Sequence, residues 1–193
     1  MGRVLAVLIL LLSLSGCARD SVADPQQQPS ATATGVDEEL RDELLTMAEQ
    51  DQAERRGEAV LADEPRTARL REIIDEHGWP TYDLVGEEAA DAAWLIAQHS
   101  DLDPGFQAEA LELLREAVAE DQASPGNLAY LEDRVAVADG EPQRYGTQVG
   151  CGPKGPKPST PIQDPDRLGE RRADAGLPTY GRYLRTMTRL CRE

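Results

Sequence analysis

Apolar residues recur at helical spacing along most of the chain. In residues 37–56 they place Leu40, Leu44, Met47 and Ala48 on one stripe, as on the buried face of an amphipathic helix. Proline starts and glycine stops delimit most of the other segments with this pattern. The predicted helices are 37–56, Asp63 to His77 with Asp63 as the N-cap, about Glu87 to His99, one opened by Asp103-Pro104, one from Ser124-Pro125 to Gly140, a short one from Asp164-Pro165 to about Gly176, and Tyr180 to Cys191. The pattern predicts an all-α, single-domain bundle of about six to seven helices.

Two neighbouring segments interrupt the helical pattern. Residues 141–150 lose the helical period and are predicted to form a short irregular or extended segment. Residues 151–161 contain four prolines and two glycines, a composition typical of a loop. The bundle is therefore predicted to carry a Pro/Gly-rich loop before its C-terminal helices.

The pattern of polar and apolar residues in the first seventeen residues differs from that of the predicted helices. Arg3 precedes an apolar run, Val4–Leu12, and Leu14-Ser15-Gly16-Cys17 closes the segment. This layout is typical of a secretory signal, and the run is far shorter than the ~20 residues of a membrane-spanning helix. The closing residues resemble the bacterial lipobox, whose cysteine, here Cys17, carries lipid with palmitate as the expected acyl chain and becomes the mature N-terminus. An ordinary signal peptide with an incidental cysteine is the alternative.

This signal divides the chain into three predicted parts. They are a signal peptide over 1–16, a lipidated Cys17 with a disordered tether over 17–35, and a helical domain over 36–193. Residues 18–35 are rich in Gln, Pro, Ser and Thr, and such a tether has a typical span of roughly 24 Å. The predicted location is the cell envelope, on the extracytoplasmic side of a membrane that holds the protein through its lipid.

The net charge of the chain makes some classes of binding partner less favourable than others. The chain has 20 Lys and Arg against 36 Asp and Glu, and removal of residues 1–16 takes away only Arg3, which leaves a net charge of −17. A body this acidic repels phosphate backbones and anionic head groups, so nucleic acid is not an expected partner and membrane adhesion other than through the lipid is disfavoured.

The charge is unevenly distributed along the chain: residues 37–64 hold eleven acids, whereas 166–193 hold seven arginines. Separate solvated faces are favoured over docking of these two segments on each other.

Two cysteines remain after Cys17. Cys151 lies in the Pro/Gly-rich loop and Cys191 at the end of the last predicted helix. In an oxidising compartment such a pair predicts a disulfide, which stabilises the fold by about 4 kcal/mol in the chain-entropy model because it closes a loop of about forty residues. Two unpaired thiols are the alternative.

No complete catalytic motif identifies a reaction. The chain lacks G-x-S-x-G, a phosphate-binding glycine loop, a dinucleotide fingerprint and H-E-x-x-H. Neither histidine has a second histidine at metal-ligand spacing. The sequence therefore assigns no metal and no cofactor, and it does not establish whether the protein is an enzyme.

Polar residues at positions expected to be apolar are the first candidates for a site. The stripe of the first helix, continued from Leu44 and Ala48, reaches Asp51 and then Arg55. A solvent-exposed i,i+4 ion pair is the favoured interpretation. The alternative is a charge pair that points inward.

Gln98 and His99 end the predicted helix that begins near Glu87. A helix C-terminus favours the protonated imidazole, and Asp101 nearby adds to that effect. Capping of the last carbonyl groups is the favoured role for His99. The alternatives are a general acid/base group and, together with Asp101 and Asp103, a metal ligand.

A second polar segment is Gln143–Gln148, which is rich in hydrogen-bonding groups and poor in apolar ones. Tyr145 and Gln148 are candidates to line a polar pocket, with Asp133 and Arg134 upstream as fixed charges. The alternative is a turn whose side chains bond to nearby backbone.

Several short motifs follow one another in order. They are Asp51-Gln52…Arg55, Gly78-Trp79-Pro80, Leu84-Val85-Gly86, Ala92-Ala93-Trp94-Leu95-Ile96 with Gln98-His99, Phe106-Gln107, Leu128-Ala129-Tyr130-Leu131 with Asp133-Arg134, Tyr145-Gly146-Thr147-Gln148, Pro161-Ile162-Gln163-Asp164, Arg171-Arg172 and Gly176-Leu177. Over about residues 45–180 they resemble an uncharacterised bacterial domain family of unknown function, and residues 151–160 depart from it. The resemblance implies one domain that contains these polar motifs, and it implies no activity.

Two functional hypotheses follow. The first is an enzyme or binder of a small envelope-derived ligand, with a polar pocket built from Asp51, Arg55, Gln98, His99, Asp133, Arg134, Tyr145 and Gln148. In this pocket His99 is the acid/base group, Arg55 or Arg134 holds an anionic part of the ligand, and Tyr145 and Gln148 orient it. The second is a non-enzymatic module that binds another envelope protein through its acidic helical surface. Convergence of the polar residues supports the first, and their dispersal beside an exposed apolar patch supports the second.

Overall fold

The computed structural model describes residues 35–192, which form α-helices with one small β-hairpin. The helices of this part of the chain are α1 Glu38–Arg55, α2 Asp63–His77, α3 Tyr82–Val85, α4 Glu87–Gln98, α5 Pro104–Ala119, α6 Pro125–Ala138, α7 Leu168–Asp174 and α8 Tyr180–Leu190. A 3-10 turn, Pro165–Arg167, leads into α7. The predicted all-α, single-domain class is confirmed.

The N-terminal predictions concern residues outside the described part. The signal peptide, Cys17 and all of the tether except Gly35 fall in residues 1–34. Residues 35–193 form a compact unit, and a fragment that starts at residue 35 contains the core formed by the described residues. Within the described residues, no helix combines the length and apolar character needed to cross a membrane.

Short polar side chains set the starts of three long helices. Asp37 accepts a hydrogen bond from the Leu40 amide at 3.0 Å, and Asp103 accepts one from the Phe106 amide at 3.0 Å. Ser124 does the same for α6. Each side chain satisfies an amide that has no partner within the helix, which is why the predicted starts agree with the structure.

Local structure differs from prediction at two helices. Asp63 is the first residue of α2 and not its N-cap; Ala62 holds that position without a side-chain bond. The Asp63 carboxylate instead binds two arginines, as described below. The one-turn helix α3 was not predicted, because four residues are too few to show a helical period.

A β-hairpin stands where the sequence predicted a loop. β1 Val149–Gly152 pairs antiparallel with β2 Gly155–Pro158, and Gly152 lies opposite Gly155 across the turn. Proline is tolerated because both strands of a two-stranded sheet are edge strands. Cys151 of β1 is disulfide-bonded to Cys191 after α8. The predicted disulfide is therefore confirmed, and it joins the hairpin to the last helix.

α4 is the central helix of the bundle. It packs against α1, α2, α3, α5 and α6, and its alanines let these neighbours approach closely. Larger apolar side chains fill the spaces between the helices; they include Leu44, Leu70, Ile73, Val85, Ile96, Phe106, Leu114 and Leu131. α7, α8 and the hairpin form a smaller layer, which contacts α6 through the edge-to-face pair Tyr130–Tyr183.

Candidate functional site

The end of α1, the start of α2 and the end of α4 meet in a buried cluster of charges. Asp51 of α1 is 0% exposed. Arg55 donates from Nε to Asp51 Oδ1 at 3.1 Å, and Arg66 Nη2 lies 3.7 Å from the same oxygen. The favoured interpretation of a solvent-exposed pair is therefore wrong: the start of α2 and the end of α4 cover this turn of α1.

His99 faces the same carboxylate. It occupies the C-cap position of α4, and its Nδ1 lies 2.9 Å from Asp51 Oδ2 and 3.0 Å from Oδ1. Arg55 Nε is also 2.9 Å from Nδ1, but the two carboxylate contacts favour the tautomer in which Nδ1–H donates to Asp51. Within residues 35–192, Nε2 makes no hydrogen bond, and the side chain is 17% exposed. His99 thus presents an imidazole oriented by Asp51 instead of capping carbonyl groups.

Burial controls the protonation of this imidazole. Burial lowers the pKa of His99 below its ordinary value of 6.5; the Asp51 carboxylate partly opposes this shift, and Arg55 and Arg134 add to it. The net lowering keeps His99 neutral at pH 7. A neutral imidazole with Nδ1–H bonded to a carboxylate has a lone pair on Nε2, as a general base requires.

Further ion pairs hold Asp51 and its partners in place. Arg66 binds Glu54 through two hydrogen bonds of 2.8 and 2.6 Å. Arg66 and Arg55 both donate to Asp63, at 2.9 and 2.8 Å. Alternating charges of this kind offset the cost of burying the Asp51 carboxylate. The sequence does not mark Glu54, Asp63 and Arg66 as site residues, because the pairs that join them to the rest of the cluster run between α1 and α2.

Gln98 and Arg134 carry polar atoms without partners next to this cluster. Gln98 is 5% exposed, and its Oε1 is buried and accepts no hydrogen bond within the described residues. Arg134 Nε is also buried without a hydrogen bond there, and its nearest carboxylate oxygen, Asp101 Oδ1, is 3.7 Å away. The two residues lie on α4 and α6, which pack together. Buried polar atoms of this kind are normally satisfied by water or a ligand.

The carboxylates suggested as metal ligands have other partners. Asp101 accepts from Gln107 Nε2 at 3.1 Å. Asp103 caps α5 and accepts from Arg71 Nη2 at 2.8 Å. Among residues 35–192 no group of three or more His, Cys, Asp or Glu side chains is arranged to hold a metal ion.

Asp133 belongs to a second, separate cluster. Its carboxylate is 0% exposed and accepts from the backbone amides of Arg144 at 2.7 Å, Tyr145 at 3.0 Å and Thr147 at 2.8 Å. The Thr147 hydroxyl donates to it as well, at 2.9 Å. Asp133 therefore fixes the backbone of the segment that follows α6.

The two glutamines complete this segment. Gln143 donates to the carbonyl oxygens of Gln148 at 3.0 Å and Thr160 at 3.1 Å, and Gln148 donates to the carbonyl of Tyr130 at 3.2 Å. Side chains that bond to nearby backbone are the alternative that the sequence left open for residues 143–148. Asp133 and Gln148 are consumed in this way and share no hydrogen-bond partner with His99 among the described residues.

Arg172 is a buried residue of the second cluster that sequence analysis did not single out. It donates to the carbonyls of Tyr145 at 2.6 Å and Pro178 at 2.8 Å, and its guanidinium lies over the Tyr183 ring at 5.1 Å. Burial lowers the pKa of this guanidinium, while Tyr130, Tyr183 and Asp133 oppose the shift. Only the motif Arg171-Arg172 marked it in the sequence, without indicating which arginine is inside.

The fold and the site define a small helical domain with a buried His–Asp pair. A model of a family of unknown function, DUF6624, matches residues 37–190, and the chain belongs to this family. The resemblance noted from the sequence is thereby confirmed at the level of an uncharacterised domain family, which assigns no activity. No curated protein and no solved structure matches the chain.

Proposed function

We propose that this protein is an extracytoplasmic lipoprotein whose helical domain performs acid/base chemistry on a small polar ligand derived from the cell envelope. One observation carries the proposal: His99 Nδ1 lies 2.9 Å from a carboxylate, Asp51, that is 0% exposed. The remaining ring nitrogen has no partner among residues 35–192. The location comes from the lipobox-like sequence at Cys17.

The chemistry follows from the roles of the two side chains. His99 Nε2 accepts a proton from a water molecule while the water oxygen bonds to an electrophilic carbon of the ligand, and the imidazolium passes this proton to the group that leaves that carbon. Asp51 holds the ring orientation and stabilises the imidazolium that forms, so the proton on Nδ1 stays in place. Arg134 offers a positive charge to an anionic part of the ligand, and Gln98 Oε1 accepts from a donor on it.

The test uses the fragment 35–193 with soluble peptidoglycan fragments as the probe. Products are measured by mass spectrometry and binding by chemical-shift changes. We expect conversion or binding by the wild type, and a loss of about a hundred-fold or more in rate for His99→Gln. His77→Gln is the matched control, because His77 also ends a helix, and among residues 35–192 its one charged contact within 4.0 Å is Glu76, at 3.6 Å. Equal behaviour of wild type and His99→Gln contradicts acid/base function.

The anchor has its own test. In the full chain, Cys17→Ser is expected to abolish incorporation of labelled palmitate and to release the protein from the membrane fraction. Retention of the label in Cys17→Ser contradicts lipidation at this residue. This outcome does not depend on the chemistry of His99.

A groove between α1 and α4 favours the second candidate function, an interaction module. The groove has a volume of about 370 Å³, its floor is apolar, with Leu45, Ala92 and Leu95, and acids such as Glu49 and Glu88 stand around it. An apolar floor with an acidic rim fits a basic amphipathic helix of another envelope protein. The acids around the groove then select a basic partner, and the apolar floor supplies the contact area.

Crosslinking in the intact envelope tests this candidate. A photoreactive residue at Glu49 is expected to give a salt-sensitive adduct that Leu45→Asp abolishes. Leu61→Asp is the control, because Leu61 is exposed outside the groove. An adduct that survives Leu45→Asp contradicts the groove as the binding surface.

A further inference from the structure

The exposed cations of residues 35–192 fall into two classes. Arginines of α1, α2 and α5 pair with carboxylates; examples are Arg41 with Glu38, Arg69 with Glu43 and Arg115 with Glu112. Six exposed cations of the hairpin region and α8 form no ion pair within residues 35–192; we call them the basic face, and they are Lys154, Lys157, Arg182, Arg185, Arg189 and Arg192. Their charge is uncompensated by the described part of the protein.

The four arginines of the basic face lie along one side of α8 and its end. Their spacing of three, four and three residues keeps them on one stripe. Like charges at such spacing repel each other and destabilise an isolated helix. The stretches 142–163 and 175–192 contain no acidic residue that relieves this repulsion. The arrangement is therefore costly unless an anionic partner covers it.

The hairpin and α8 form one continuous surface. β2 contacts α8, and the disulfide between Cys151 and Cys191 ties the two elements together. Lys154 and Lys157 therefore belong to an element that is fixed to the arginine-bearing helix. A surface fixed in this way presents its charges without having to order a flexible segment on binding.

Apolar side chains border the basic face. A groove of about 750 Å³ runs along α8 and is lined by Leu177, Pro178, Met187 and Leu190 among others. Leu190 is 54% exposed at the end of the helix. Arginines beside exposed apolar side chains are typical of helices that lie at the membrane interface.

We infer that the basic face docks the domain onto an anionic phospholipid surface. The inference rests on the lipid anchor proposed above, which keeps the domain within a tether span of roughly 24 Å and raises the local concentration of head groups. The net charge of the chain predicts no such adhesion, but charges more than a Debye length of about 8 Å away are screened. The local charge of the face decides the interaction.

Sedimentation with vesicles tests the docking. The fragment 35–193, which lacks Cys17, is expected to bind vesicles that contain phosphatidylglycerol and not vesicles of pure phosphatidylcholine, with binding lost at high salt. The triple variant Arg182→Gln, Arg185→Gln, Arg189→Gln is expected to bind on the order of a hundred-fold more weakly, about five-fold for each arginine. The matched control Arg41→Gln, Arg56→Gln, Arg115→Gln changes the net charge equally and is expected to bind like the wild type.

Three outcomes overturn the inference. They are absence of binding to anionic vesicles, equal binding by the triple variant and its control, and binding to polyglutamate without binding to vesicles, which assigns the face to an acidic protein. His99→Gln is expected to bind vesicles like the wild type, and Cys17→Ser concerns only the full chain. Failure of the docking is thereby distinguished from failure of the proposed function.

Discussion

Asp51 and Asp133 are both fully buried carboxylates, yet their partners differ in kind. Asp133 accepts from backbone amides and a hydroxyl, groups that neither titrate nor change charge. Asp51 accepts from Arg55 and lies against the ring of His99, a side chain that can gain and lose a proton. Partners that keep their protonation state make Asp133 a structural residue, whereas the imidazole makes Asp51 a residue suited to proton transfer.

Replacing Asp51 by Asn removes the carboxylate that both Arg55 Nε and His99 Nδ1 contact. We expect Asp51→Asn to lower the free energy of unfolding by about 2 kcal/mol, because a hydrogen bond to a buried charged acceptor is lost. It also lowers the pKa of His99 further, since Asp51 is the group that raises it. Urea unfolding and histidine NMR measure the two effects. Asp42→Asn, at an exposed position of the same helix, is the control, and a loss at Asp51 no larger than at Asp42 contradicts the central role of Asp51.

The protonation of His99 makes stability depend on pH. Because burial lowers the pKa of His99 in the folded state, the unfolded chain takes up the proton first as the pH falls below about 6.5. The free energy of unfolding is therefore expected to decrease from pH 7 downward until the folded pKa is passed. His99→Gln removes this decrease, whereas His77→Gln retains it. A wild-type stability that is constant through this range contradicts the lowered pKa.

At the scale of elements, the segment 143–148 is held by side chains from two sides. Asp133 of α6 binds its amides, and Arg172 of α7 binds the Tyr145 carbonyl. Gly146 has a φ of 65°, and a Cβ there would lie 2.8 Å from Ile162 Cδ1. Glycine is required both for the backbone conformation and for the close approach of Ile162. The segment is therefore a fixed connection between the bundle and the C-terminal layer.

Asp133→Asn is expected to loosen this connection. An amide cannot accept from all four donors, and its own N–H₂ group faces donors, so we expect a loss of about 3 kcal/mol in the free energy of unfolding. Hydrogen exchange should accelerate at the amides of Tyr145 and Thr147. Asp139→Asn, at the exposed end of the same helix, is the control. Unchanged protection of both amides contradicts the assignment.

At the scale of the whole molecule, the two layers differ in how they are stabilised. The bundle around α4 is held by apolar packing. The C-terminal layer contributes few buried apolar side chains and relies on polar bonds, tyrosines and the disulfide. Charge is divided in a similar way, since most of the paired arginines lie on the bundle and the basic face lies on the hairpin and α8; Arg167 with Glu170 is an ion pair within the C-terminal layer.

Removal of the disulfide acts through the unfolded chain. We expect the double variant Cys151→Ser, Cys191→Ser of the fragment 35–193 to lose about 4 kcal/mol of unfolding free energy, because the sequence separation of 40 closes a long loop. A reductant should destabilise the wild type equally and leave the double variant unaffected. If the reductant also destabilises the double variant, the effect of the reductant on the wild type does not come from the disulfide.

The sequence predicts a structural feature well when the residues that form it lie close together along the chain. Helix starts at Asp37, Asp103 and Ser124 were predicted because capping and periodicity involve residues within one or two turns. The hairpin was not, because four prolines hide two short edge strands. The disulfide followed from a count of cysteines and not from their geometry.

The candidate site depends even more on contacts between residues that are far apart along the chain. Asp51, Gln98 and His99 were identified as unusual residues from local pattern alone, but Asp51 and His99 are 48 residues apart and their contact depends on how α1 packs against α4. The sequence by itself determined the helices, the signal-like N-terminus and the overall acidity, which are sums or short-range patterns. Only the tertiary structure decided which charges are buried together, that Asp133 and Gln148 serve the backbone, and that the hairpin packs against α8. The reason is that such partners are chosen by packing between elements, which no spacing along the chain records.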